Sequence, residues 1–172
     1  MSVDTDTQPG LWRRIVAGRN IRTTVRRAIL LALFCLLLFN YVLLPVRVRG
    51  VSMEPTFRDG SWHLAGLLRF VGRSPRRGEV VVISITGGRR ALYLKRVLGL
   101  PGETIRFSNG QLMVNGREQE EPYLADKGNW NLAETRLAED EFFVAGDNRS
   151  VPEETHMMGT VKRDRISGGI FH

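Results

Sequence analysis

A single cysteine, Cys35, leaves this chain with no possible internal disulfide, and its place inside an apolar run makes it a packing residue rather than a thiol nucleophile. Histidine is almost as scarce. His63, His156 and His172 fall in no spacing that suggests a catalytic triad, and each reads as a surface or packing residue. Neither a metal site nor a cofactor motif is assigned. Acidic residues are in deficit, 18 against 25 basic ones, for a formal charge of +7. That excess is local, because Arg13, Arg14, Arg19, Arg22, Arg26 and Arg27 crowd the stretch before the apolar run. Arginines placed there read as topology signals or lipid headgroup contacts, so nucleic acid is excluded as a partner. Internal repeats and low-complexity tracts are also missing.

What is present begins with AILLALFCLLLFNYVLLPV, residues 28 to 46, nineteen residues without a charge. Roughly 20 residues at ~1.5 Å rise cross the ~30 Å hydrocarbon layer of a bilayer, so the run is long enough to span one. A cleavable export signal has a shorter apolar centre and ends in a small-x-small site, whereas this run ends in Leu-Leu-Pro-Val-Arg-Val-Arg. The expected organisation is therefore a basic segment over 1–27, a transmembrane anchor over 28–46 and a folded domain over 47–172. The arginine asymmetry puts the amino terminus in the cytoplasm and the domain on the outer or periplasmic face of the cytoplasmic (inner) membrane, as a single-pass protein. Residues 1 to 10 are polar and read as disordered.

Beyond residue 46 long helical periodicity is lacking, and short apolar or alternating runs are divided by glycine-rich turns. The expected fold class is mainly β: an antiparallel, barrel-like catalytic domain preceded by one transmembrane helix. Candidate strands cover 46–49, 62–70, 79–85, 91–98, 104–108, 111–114, 141–145 and 160–163. Asn109-Gly110 and Asn115-Gly116 are dipeptides suited to tight hairpins, whose central residues both need positive φ. The polar stretch 121–140 reads as a long loop with one helical turn around 132–137. Residues 66 to 77, with Phe70, Val71 and the basic Arg73-Ser-Pro-Arg-Arg77, read as a solvated loop, with headgroup contact as the alternative.

Three stretches carry chemistry. Gly50-Val-Ser-Met-Glu-Pro-Thr places Ser52 in a turn just past the apolar run, which by itself is an ordinary place for serine. Tyr93-Leu-Lys-Arg-Val-Leu-Gly-Leu-Pro-Gly places Lys95 within an apolar strand. On strand alternation Lys95 shares a face with Tyr93 and Val97, so it is either an edge lysine that discourages aggregation or a buried general base. Free lysine is neutral only about once in 2,500 molecules at pH 7, a deficit of roughly 4.6 kcal/mol that burial can remove. An amine so treated can accept the proton of Ser52 without any histidine. The third stretch, Phe142-Phe-Val-Ala-Gly-Asp-Asn-Arg, is an apolar strand running into a polar turn.

In this order, together with Gly78-Glu-Val-Val-Val, the stretches resemble the type I signal peptidases, the leader peptidases of the Ser-Lys dyad class, over about residues 28 to 163. The resemblance implies Ser52 as nucleophile, Lys95 as general base and the Ser52 backbone N–H as oxyanion donor. It also implies an extended substrate beside Val48, Arg49, Gly50, Val51, Tyr93 and Leu94, with small residues selected at the first and third positions before the cut. Supporting positions are Met53, Pro55, Arg96, Gly146, Asp147, Asn148, Arg149, Ser150, Glu154 and Thr155, with Arg96 and Asp147 expected to pair. The implied substrates are exported preproteins bearing signal peptides, and the bilayer is the other partner. The pattern departs near its end. Pro152 stands where the family carries a serine that orients the lysine, leaving Ser150 and Thr155 as substitutes. Glu154 stands for aspartate, and His156 replaces an arginine with a group that titrates near neutrality. Two alternatives follow from these departures: a peptidase dedicated to one conjugation or pilus precursor, and a non-catalytic anchored module that binds extended peptides.

Overall fold

The computed structural model of the chain describes residues 21–84, 92–152, 156 and 158–171. The chain divides into two compact units, 1–40 and 41–172. In the first, helix α1 spans Ile21–Leu37, and helical residues continue through a π-type turn, Leu38–Val42. The 22 residues from Ile21 to Val42 are long and apolar enough to cross a bilayer. Asn40 interrupts the apolar run, and its exposed amide donates from Nδ2 to the Leu36 carbonyl at 2.9 Å. The apolar run of 28–46 does not stay helical to its end. Pro45 disfavours helical backbone at the residue before it, and Leu43–Arg47 form strand β1 instead. Pro45 is tolerated there because β1 is the terminal strand of its sheet, where no ladder bond needs its missing N–H.

The second unit is built from two antiparallel sheets. The larger holds β1, β2 (Trp62–Gly66), β3 (Val80–Ser84), β4 (Leu92–Gly99), β9 (Glu141–Ala145), β10 (Gly159–Lys162) and β11 (Ile166–Ile170), in the order β1-β2-β11-β3-β4-β9-β10. The smaller holds β5 (Thr104–Ser108), β6 (Gln111–Val114), β7 (Arg117–Glu118) and β8 (Leu132–Arg136), in the order β7-β6-β5-β8. The mainly β, antiparallel class with one amino-terminal apolar helix stands as expected. Both Asn-Gly pairs adopt positive φ throughout, 48° and 75° at Asn109 and Gly110 and 50° and 73° at Asn115 and Gly116. They close the β5–β6 and β6–β7 hairpins.

Other expectations are corrected. Residues 132–136 are not a helical turn in a loop but strand β8, paired with β5 through Thr104↔Arg136 and Ile105↔Thr135. Its exposed positions carry charge rather than apolar alternation, which hid it. β11 was likewise not anticipated, since its Ile-Ser-Gly-Gly-Ile composition reads as a turn until β2 and β3 supply partners on either side. The candidate strand 62–70 stops at Gly66, after which the chain turns. Positions 85 and 91 of two other candidate strands lie outside the described residues.

Strand β3 fixes the centre of the fold. All five residues of Val-Val-Val-Ile-Ser are buried. Val80 and Val82 enter a cluster with Val48, Met53, Phe57, Ala65 and Ile170, whereas Val81 and Ile83 enter another with Phe70, Val97, Phe142 and Val144. A strand covered on both faces has no polar side to offer, which is why its sequence is a continuous apolar run. Each such side chain contributes about 1.5–3 kcal/mol on burial. The next strand, β4, pairs beside it in the sheet, and Lys95 is the register partner of Val81.

Candidate active site

Ser52 is carried by the turn Gly50–Phe57, closed by Glu54 N–H to the Val51 carbonyl at 3.1 Å and Phe57 N–H to the Met53 carbonyl at 2.9 Å. Met53 and Phe57 anchor it, each 1% exposed in the cluster beneath. The turn after β9 grips the same loop from the other side. Asn148 N–H donates to the Ser52 carbonyl at 3.0 Å, and Asn148 Nδ2 donates to the Val51 carbonyl at 3.1 Å. Gly146 is pressed so close that a Cβ there would strike the Ser52 carbonyl oxygen and lie 2.7 Å from His156 Nε2. Gly146→Ala is therefore expected to displace the Ser52 loop and lower the melting temperature by several degrees, which thermal melts followed by circular dichroism check.

Lys95 reaches Ser52 across this junction. Its Nζ lies 3.3 Å from Ser52 Oγ, within hydrogen-bond reach, and the lysine is only 3% exposed. Ser52 Oγ is the bonded partner of that nitrogen among the described residues. Burial is the main cause that lowers the Lys95 pKa, to about 8, with the Asp147 carboxylate opposing it. The edge-lysine alternative is thereby overturned: the amine is not solvated.

Asp147 is itself committed. It forms a fork with Arg96, Nε to Oδ1 at 2.8 Å and Nη2 to Oδ2 at 2.6 Å, and it accepts Thr56 Oγ1 at 2.5 Å. Arg96 also donates to the Gly78 carbonyl at 2.6 Å and lies over the Tyr123 ring, 3.9 Å from its centroid. The expected Arg96–Asp147 pair is thus present and buried. Arg149 is fully enclosed as well, bonding Glu121 through both terminal nitrogens at 3.1 and 2.5 Å and the Gly146 carbonyl at 3.0 Å. Together these arginines bolt the Ser52 loop, β4 and the turn after β9 into one frame.

A groove of about 510 Å³ leads away from Ser52, lined on one wall by Leu44 to Arg49 and on the other by Leu92, Tyr93 and Leu94, with Met53 and Val82 at its floor. Both walls expose strand edges. β1 pairs with β2 alone, and β4 begins its pairing with β9 only at Arg96, leaving residues 92–95 open on that side. Of the expected substrate contacts, Val48, Arg49, Tyr93 and Leu94 line the groove. Gly50 and Val51 do not: the Gly50 N–H is taken by Asp59 Oδ1 at 2.8 Å and the Val51 carbonyl by Asn148. The Ser52 N–H has no partner among the described residues, as an oxyanion donor requires.

Of the supporting positions, Pro55 and Ser150 are exposed, and the Ser150 N–H bonds Asn148 Oδ1 at 3.2 Å, so this serine makes no bond to Lys95. Glu154 and Thr155 lie outside the described residues. His156 corrects the reading of a group titrating near neutrality. It is buried, and desolvation, with the nearby charges of Lys95 and Arg149, pushes its pKa down to about 3. Thr56, Glu121 and Tyr123 were not singled out from the sequence. Thr56 ends the quoted Gly-Val-Ser-Met-Glu-Pro-Thr stretch, and Glu121 and Tyr123 lie in the long polar stretch, but their buried partners are invisible until the chain folds. No group of three or more His, Cys, Asp or Glu able to hold a metal occurs among the described residues.

The chain belongs to the signal peptidase family, peptidase S26, whose model matches residues 21–171. It is 33% identical over 125 residues to a probable signal peptidase I-2 of Synechocystis, covering 70% of this chain and 57% of that relative's length. It is 28% identical over 149 residues to signal peptidase IB of Staphylococcus aureus, covering 76% of this chain and 77% of the relative. A solved signal peptidase I from Enterococcus faecalis matches at 26% identity with a TM-score of 0.45, covering 58% of this chain and 98% of that one.

Proposed function

We propose that the chain is a membrane-anchored serine endopeptidase that removes N-terminal signal peptides from exported preproteins, cutting after small-x-small sites. The observation that carries this reading is the amine of Lys95, 3% exposed and 3.3 Å from Ser52 Oγ, at the head of a groove with two open strand edges. A peptide-binding module would use the groove but has no use for a dry lysine, whose burial disfavours folding.

The preprotein segment enters as a strand between the two walls, taking main-chain bonds from residues 92–95 and from the β1 side. Side chains alternate along it, so two of three meet the apolar lining and the one between points outward. The scissile carbonyl then lies at Ser52. Lys95, neutral in about one molecule in ten at pH 7 when its pKa is near 8, accepts the Ser52 proton as Oγ attacks. The oxyanion takes the Ser52 N–H. Lys95 returns a proton to the leaving amine, and a water activated by the same amine clears the acyl-enzyme.

The helical residues Ile21–Val42 serve as the anchor in this reading, with the amino terminus in the cytoplasm and the β domain outside. Large apolar side chains exposed on the β domain, Trp62, Leu64, Leu68, Val71 and Phe171, favour a lipid surface nearby. The test is cleavage of a preprotein in liposomes by the full chain, with the cut located by mass spectrometry. A cut after a small-x-small site supports the reading, and an intact preprotein refutes it.

A further inference from the structure

Behind Ser52 lies a buried histidine that the proposed chemistry leaves unused. His156 is 4% exposed. Its Nε2 accepts the Gly146 N–H at 2.8 Å, which assigns the ring proton to Nδ1. That Nδ1 has no hydrogen-bond partner among the described residues. An unpaired buried donor is unfavourable, so the ring's own stability gives no reason for an imidazole here.

The surroundings supply one. The ring stands edge-on to Trp130, centroids 4.6 Å apart. Its backbone is tied down at both ends, N–H to the Pro152 carbonyl at 2.9 Å and carbonyl to the Met158 N–H at 2.6 Å. On the far side Gly146 is wedged between the ring and the Ser52 carbonyl. Trp130, His156, Gly146 and Ser52 thus form one unbroken stack that ends at the nucleophile.

We propose that His156 is a positioning residue for the Ser52–Lys95 pair: its neutral ring props the Gly146–Asn148 turn against the nucleophile loop and adds no charge beside the lysine amine. The role rests on the peptidase reading of the site. Lys95 from β4 and Arg149 from the turn are the charged groups that act on the ring, and both oppose its protonation. Asp147 acts on Lys95 and is held by Arg96. A permanent cation at 156 would push the Lys95 pKa further in the direction burial already moves it, whereas an apolar residue would release the Gly146 N–H.

Two variants separate these contributions, assayed as full chains in detergent micelles on a fluorogenic peptide with an apolar segment and an Ala-x-Ala site. His156→Gln keeps an acceptor within reach of Gly146 and is expected to hold kcat within about threefold, while His156→Phe keeps the ring alone and should lose about 10- to 100-fold in kcat. KM should stay within about twofold and the rising limb of the pH profile should not move, because the wild-type ring is already uncharged there. An undiminished His156→Phe, or a His156→Gln that falls as far as His156→Phe with an equal loss of melting temperature, overturns the role. If His156→Phe does not fold, nitrogen NMR of the ¹⁵N-histidine-labelled full chain decides: an Nδ1–H tautomer unchanged from pH 8 to 5 supports the role, and a ring that titrates in that range refutes it. A wild-type chain that cleaves no peptide refutes the peptidase reading instead, which the variant comparison alone would not do.

Discussion

On the proposed mechanism, Ser52→Ala and Lys95→Met are each expected to reduce cleavage by roughly 10⁴-fold or more, since a nucleophile and its base act as a unit and losing either removes the covalent route. Lys95→Arg should be as inactive as Lys95→Met, because a guanidinium cannot give up its proton in this range. The two Lys95 variants part on stability. The Lys95 pKa is lowered from 10.5 to about 8 in the folded chain. Below pH 8 both folded and unfolded chains hold the proton, and the folded one bears the full desolvation penalty, about 3 kcal/mol. Between pH 8 and 10.5 the folded state sheds its proton first, so stability rises with pH. Lys95→Met removes the penalty and should melt several degrees above wild type at pH 7, with the gain vanishing toward pH 10.5. Thermal melts at pH 7 and pH 10 measure the difference. Equal melting temperatures at pH 7 would show that the amine is solvated.

The second large effect belongs to the frame. Asp147→Asn leaves Arg96 buried without its carboxylate and takes an acceptor from Thr56. Breaking one side of a buried ion pair costs about 3–5 kcal/mol, a large part of the ~5–15 kcal/mol that holds a typical domain together. Urea titration of the full chain in micelles should show the loss directly. The fraction that folds should also carry a shifted base: Asp147 is the group that raises the Lys95 pKa against burial, so its neutralisation moves the rising limb of kcat/KM to lower pH. A variant as stable as wild type, or a limb displaced upward, would separate Asp147 from the site.

The contact between Ser52 and Lys95 was expected from the sequence because each residue type stands out against its local setting. Lys95 is an ionisable residue inside an apolar strand, and Ser52 stands in a turn whose glycine, methionine and proline each have a backbone or packing reason. The hairpins at Asn109-Gly110 and Asn115-Gly116 were legible for the same reason, since positive φ at both positions is written in the residue types. What escaped depends on partners distant in the chain. β8 carries Glu134 and Arg136 on a half-exposed edge and becomes a strand only when β5 lies beside it. β11 is glycine-rich and draws its order from β2 and β3. His156 read as a surface or packing residue titrating near neutrality because nothing near it in sequence announces Trp130, Gly146 and Arg149, the groups that enclose it and keep it uncharged. The end of the apolar run was misjudged because hydropathy does not distinguish helix from edge strand, and Pro45 decided the matter.

The measurement closest to the central claim is the pH dependence of kcat/KM for the full chain in micelles, with Ser52→Ala as the blank. A buried, readily neutralised Lys95 predicts activity that rises with pH through a midpoint near 8 and then levels off. Activity that keeps climbing to about pH 10, where free lysine loses its proton, would contradict it.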